Sequence, residues 1–155
     1  MPPGSAERVT AARPRALSRR WVWPALVGAA LVGVGICGYL TATTLAGAAP
    51  VCVAGDCATV ASSPYAKFLG VPTATWGLAA YGAMGALSAA VAWGRAAPPW
   101  LPHAVLGLAM FGVVFSAYLL WVQLAVLRAV CSWCAASDVL WVILLALAGV
   151  GVLAE

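Results

Sequence analysis

From Ala104 to Leu127 the chain carries no charged residue, and from Ala135 to Ala154 it carries only Asp138. A third run, about Trp21 to Leu45, is also free of charge. At ~1.5 Å of rise per helical residue, runs of this length cover the ~30 Å of hydrocarbon in a bilayer. Lipid offers no partner to backbone N–H and C=O groups, so a single such run must fold as an α-helix. Composition agrees: 65% of residues are hydrophobic and 8% charged, where a soluble domain carries about 25% charged. Mean hydropathy is +1.01. Such a chain cannot cover itself with polar groups in water, which excludes a soluble globular domain. About Thr73 to Trp93 is a fourth uncharged run, bracketed by Trp76 and Trp93. The expected fold is an all-α integral membrane protein, a four-transmembrane-helix bundle with spans at about 21–45, 73–93, 104–127 and 131–153 of a membrane domain 21–155.

The net charge is +4, and five of the eight cations, Arg8, Arg13, Arg15, Arg19 and Arg20, precede the first run. Such a cluster suits nucleic acid, anionic lipid or a cytoplasmic tail, and the positive-inside rule favours the tail. Residues 1–20 are therefore expected to be a basic, disordered cytoplasmic tail, with no nucleic-acid partner. The run that follows is too long for a signal peptide and reads as a retained anchor. Trp21 and Trp23 mark its interface, and Gly28, Gly33, Gly35 and Gly38 offer a small-residue packing face. Cys37, inside this run, reads as an apolar filler. His103 reads as an exposed loop histidine.

The most polar stretch after the tail is Ala46 to Thr75. In it Cys52 and Cys57 flank a Gly55-Asp56 turn, which lets their Cα atoms approach disulfide distance. Ser62 to Gly70 reads as a short helix, opened by serine and Pro64 and closed by Gly70, lying on the membrane surface. A second pair, Cys131-Ser132-Trp133-Cys134, stands at the start of the last run. With the basic tail inside, alternation of spans puts both cysteine pairs outside the cytoplasm and both termini inside, which is the disulfide-permissive arrangement.

Two pairs on one face point to thiol–disulfide exchange, and lipid holds a quinone pool to receive electrons. Other readings stand beside this one. The four sulfurs suit a closed zinc site, although an oxidising exterior favours disulfides over thiolate ligands, or the loop pair is a structural disulfide. Asp138, one turn into the last helix, either protonates a reduced quinone or favours the positive helix start. Trp76, Tyr81, Phe115 and Trp133 are candidate aromatic pocket walls, or packing and belt residues.

The combination of Cys52/Cys57, Ser63-Pro64-Tyr65-Ala66, Leu69-Gly70-Val71-Pro72, Trp76-Gly77, Tyr81 and Cys131-Ser132-Trp133-Cys134 with Ser137 resembles the vitamin K epoxide reductase family in its bacterial form. The resemblance covers roughly Trp21 to the end. The order of the pairs separates it from the DsbB family, where the Cys-x-x-Cys comes first. It implies a helix bundle around a quinone, lidded by the short helix of the first extracytoplasmic loop. It implies that Cys52 exchanges with a partner, that Cys57 shuttles to Cys131, and that Cys134 lies beside the quinone with Ser63 as a quinone-site residue. No thioredoxin-like domain is recognisable in the chain, so the expected partner is a separate thioredoxin-fold, DsbA-like dithiol oxidase, soluble or anchored, at the plasma (inner) membrane. Where animal members read Thr-Tyr-Ala, this chain reads Ser137-Asp138-Val139. A respiratory quinone, menaquinone or ubiquinone, is therefore expected in place of vitamin K epoxide, and no metal. The alternatives are a vitamin K quinone or epoxide reductase and a non-enzymatic membrane protein.

Overall fold

The computed structural model describes residues 5–94 and 97–154, with side chains from residue 21 onward. It is built from long helices: α1 (Ser5–Leu45), α3 (Thr73–Trp93), α4 (Leu101–Trp121) and α5 (Ser132–Leu153). A short helix α2 (Cys57–Ser62) and a two-residue hairpin, β1 (Lys67–Phe68) with β2 (Val71–Pro72), lie between α1 and α3. Trp21–Leu45, Leu101–Leu127 and Ser132–Leu153 are long and apolar enough to cross a membrane. α3 matches α4 in length, 21 residues each, but is richer in Ala and Gly. α1 begins at Ser5, within the stretch expected to be a disordered tail. Ala, Arg and Leu there are good helix formers and extend a helix nucleated by the span, although Pro14 within it forfeits one backbone hydrogen bond.

The core lies where the four long helices meet. Trp23, Leu26 and Ala30 of α1 pack with Tyr81 and Met84 of α3, Val105 and Ala109 of α4, and Leu144 and Ala148 of α5. At its centre the rings of Tyr81 and Trp141 stack with centroids 4.5 Å apart. Two glycines make room for them. A Cβ on Gly33 would lie 2.2 Å from the Tyr81 ring, and one on Gly112 would lie 2.2 Å from the Trp141 ring. The expected small-residue face of α1 is thus reduced: Gly28 and Gly35 face open space, turned well away from Gly33 around the helix.

The segment after α2 departs from expectation. Pro64 opens only a three-residue 3-10 turn, Pro64–Ala66, because Leu69 (φ 54°) and Gly70 (φ 79°) reverse the chain into the hairpin. The helix forms one step earlier, at Cys57, where Asp56 caps it by accepting the Thr59 N–H at 3.0 Å.

Gly112→Ala should destabilise the bundle by ~1–3 kcal/mol, as overpacking does. Gly107→Ala, whose added methyl meets nothing within 4 Å, should not. Thermal unfolding of the two variants in detergent checks this.

Candidate functional site

The start of α5 and the loop after α1 are stitched together by backbone. Gly55 and Cys131 form an antiparallel bridge, and the Asp56 N–H donates to the Val130 carbonyl at 2.9 Å. Gly55 has φ +86°, and a Cβ there would sit 2.1 Å from the Val130 oxygen, so the approach requires glycine. A second tie runs beside it. Trp133 Nε1–H donates to the Val51 carbonyl at 2.8 Å, the Val51 N–H donates to the Tyr39 hydroxyl at 2.9 Å, and the rings of Tyr39 and Trp133 lie 5.3 Å apart. Trp133, expected as a pocket wall, is therefore a clasp for the loop.

These ties bring the two cysteine pairs together. Cys52 and Cys57 are disulfide-bonded, with Cys52 half-buried and Cys57 1% exposed. Cys131 and Cys134 are free thiols. Cys131 caps α5: its Sγ accepts the Cys134 N–H at 3.3 Å and the Cys134 S–H at 2.7 Å. Its own N–H donates to Gln123 Oε1 at 2.8 Å. Gln123 belongs to a π-helical turn, Val122–Leu127, that ends α4, and its main-chain carbonyl accepts the Ala129 N–H at 3.1 Å. The Cys134 thiol and two backbone amides pull the Cys131 thiol below its ordinary value, against burial and the charge of Asp138. Outside the bundle, the Thr59 hydroxyl and amide hold the Asp56 carboxyl below its ordinary range.

Two cavities meet at Cys134. A small one, of about 80 Å³, is shared by Cys57, Cys131 and Cys134 under Leu40 and Pro50. A larger one, of about 130 Å³, joins Cys134 to Ser63, Ser116, Ser137, Asp138 and Trp141. Asp138 and Ser116 both line it, and the Asp138 Oδ2 is buried with no hydrogen-bond partner. Through Gly77, Phe115 and Trp141 this cavity adjoins an apolar groove of about 500 Å³ between α3 and α4, walled by Phe68, Trp76 and Phe111. Ser63 lines the cavity, but its hydroxyl donates back to the Val60 carbonyl at 2.7 Å and caps no helix start. Tyr81 is buried in the core, its hydroxyl on Ser137 at 2.9 Å. His103 is exposed and lines neither cavity.

Trp141, Ser116 and Gln123 escaped the sequence reading. Trp141 follows Cys134 by seven residues and Asp138 by three, which places all three on one helical face. Ser116 and Gln123 are isolated polar residues in an apolar run, the remaining legible signal. Among the described residues, no cluster of three or more metal-ligating side chains occurs.

The sequence profile of the Vitamin K epoxide reductase family matches residues 17–149, most of the chain. The chain belongs to the vitamin K epoxide reductase family. Family membership, apolar helices of membrane-spanning length and a disulfide beside a Cys-x-x-Cys together make it a membrane oxidoreductase.

Thiolate absorbance of the reduced Cys-x-x-Cys should rise through a midpoint below that of an ordinary cysteine, with Cys131 protonated on the acid side of it and charged on the alkaline side. Cys134→Ala removes the largest cause of that depression, so the midpoint should move up. A midpoint unchanged in this variant would count against the Cys134–Cys131 hydrogen bond as its cause.

Proposed function

We propose that this family member is a thiol–quinone oxidoreductase that supports disulfide formation outside the cytoplasm. In this reading α3 is a fourth span, the segment from α2 to β2 is the lid over the larger cavity, and the bundle sits in the plasma membrane. Both termini are cytoplasmic and both cysteine pairs extracytoplasmic. The observation that carries the reading is the position of Cys134, which lines both the cavity holding Cys57 and Cys131 and the cavity holding Asp138.

A dithiol of a separate thioredoxin-fold partner attacks Cys52, the more accessible sulfur, and leaves as a disulfide with Cys52 and Cys57 reduced. The Cys57 thiolate attacks Cys131 of an oxidised Cys131–Cys134 pair, and Cys134 departs as a thiolate. Cys52 then attacks Cys57, restoring the loop disulfide and leaving Cys131 and Cys134 reduced. The loop disulfide beside two free thiols corresponds to that stage.

The residues fit a quinone. The unpartnered Asp138 Oδ2 offers a hydrogen bond or proton at the cavity, and the aromatic groove suits an isoprenoid tail. A bound menaquinone or ubiquinone would accept the two electrons and two protons. Cys134 closes the disulfide with Cys131, Ser63 and Ser116 frame the cavity, and Asp138 positions a proton.

The deciding measurement is disulfide mapping of Cys134→Ala purified from an oxidising host. A Cys57–Cys131 bridge is expected. Only Cys52–Cys57, with Cys131 free, would overturn the relay. Asp138→Asn should slow quinone reduction ~10²-fold, at the low end for a positioned proton donor, and leave the trapped bridge in the Cys134→Ala background intact.

A further inference from the structure

One polar group lies between the two cysteine pairs and has no part in the relay so far. The Ser132 hydroxyl is 3.5 Å from Cys52 Sγ and 3.8 Å from Cys57 Sγ, within hydrogen-bonding range for sulfur. A disulfide sulfur bears no proton, so in this state the hydroxyl is the donor in either contact, its one proton directed to one sulfur or shared between the two. Ser132 is the first residue of α5, and the Gly55–Cys131 bridge beside it fixes its distance from the loop. Cys57 is 1% exposed, and the cavity it lines is formed by Leu40, Pro50, Val60 and alanines together with Cys131, Cys134 and Thr44, whose hydroxyl is donated to the Leu40 carbonyl at 2.8 Å. Burial limits bulk water around a charge that forms on Cys57, and with the Thr44 proton already committed to a carbonyl the Ser132 hydroxyl is the one placed to serve it.

We propose that Ser132 is a catalytic residue of the loop exchange, donating its O–H to whichever sulfur of the Cys52–Cys57 pair takes up thiolate charge. The inference rests on the relay reading. When an incoming thiolate attacks Cys52 Sγ, its electron pair forms the new S–S bond. The Cys52–Cys57 bond breaks, and its pair leaves on Cys57. The Ser132 hydroxyl turns toward Cys57 and keeps its proton. When the second thiol of the dithiol, as thiolate, attacks the mixed disulfide, the bond to Cys52 breaks and the pair leaves on Cys52. The same hydroxyl is within reach of that sulfur. Leaving-group stability sets the rate of such exchange, so one shared donor accelerates both halves.

The test uses the full chain in detergent with Cys131→Ala and Cys134→Ala, which halts electrons at the loop pair, and dithiothreitol as the dithiol. Ser132→Ala should slow reduction of Cys52–Cys57 ~10-fold and raise the pH midpoint of Cys57 alkylation by about one unit, the same free energy seen twice. Ser132→Thr and Ser132→Val match each other in shape and differ in the hydroxyl. Thr should restore rate and midpoint, and Val should behave as Ala. Equal rates and midpoints for Thr and Val would overturn the proposal, whether both are fast or both slow, and this comparison holds if Ser132→Ala fails to fold. A Cys57–Cys131 bridge still trapped in the Cys134→Ala chain alongside that result would leave the relay standing. Loss of the bridge would remove the relay instead.

Discussion

The bridge between Gly55 and Cys131 is the contact on which the arrangement of sulfurs depends. Cys52 and Cys57 sit on a loop, Cys131 and Cys134 at a helix start, and nothing in the hydrophobic packing of the bundle sets one against the other. Backbone does it: a glycine with no Cβ to strike the Val130 carbonyl and an Asp56 N–H donated to that same oxygen. Backbone pairing is less tolerant of drift than side-chain contact, because a slip of one residue turns every side chain over. The Trp133–Val51–Tyr39 chain of hydrogen bonds guards the same register from the other side.

Below this platform the bundle is organised for rigidity at the level of Cys134. The Tyr81–Trp141 stack needs both Gly33 and Gly112, one from each flanking helix, and Tyr81 then holds Ser137 in the turn after Cys134. The core and the larger cavity therefore share a wall. α3 and α4 touch less than the other neighbouring helices, and the apolar groove occupies the space between them.

Much of this was legible in the residues, for identifiable reasons. Charge-free runs of bilayer length carry their own conformation, since lipid leaves the backbone no alternative. The cysteine pairs meet because alternating helices return the chain to one end. What the sequence hid was tertiary. Gly55 was readable as a turn residue, but not as the place where a carbonyl from 75 residues away would fill the Cβ position. Ser63 and Pro64 carry the marks of a helix start, yet the helix begins at Cys57 because Asp56 caps it first, and Leu69 and Gly70 turn the chain back before Pro64 can extend one. Gly28 and Gly35 looked like packing residues, and only the rotation of α1 in the bundle decides that Gly33 is the one that packs.

The π-helical turn at Val122–Leu127 has a consequence for how this chain tolerates change in length. A π turn is an α-helix that has absorbed one extra residue. Here that residue lets Gln123 face inward with its carbonyl on Ala129 and its side chain on Cys131, while Arg128 takes a left-handed conformation to close the corner. The path from Gln123 to Cys131 is thus measured at both ends. A deletion within it would relax the turn to regular helix, rotate the amide away and withdraw the cap residue of α5. At the opposite end of the bundle, no described residue between α3 and α4 lines either cavity. Insertions and deletions in relatives of this chain should therefore collect at that far end and spare the eight-residue step into the Cys-x-x-Cys.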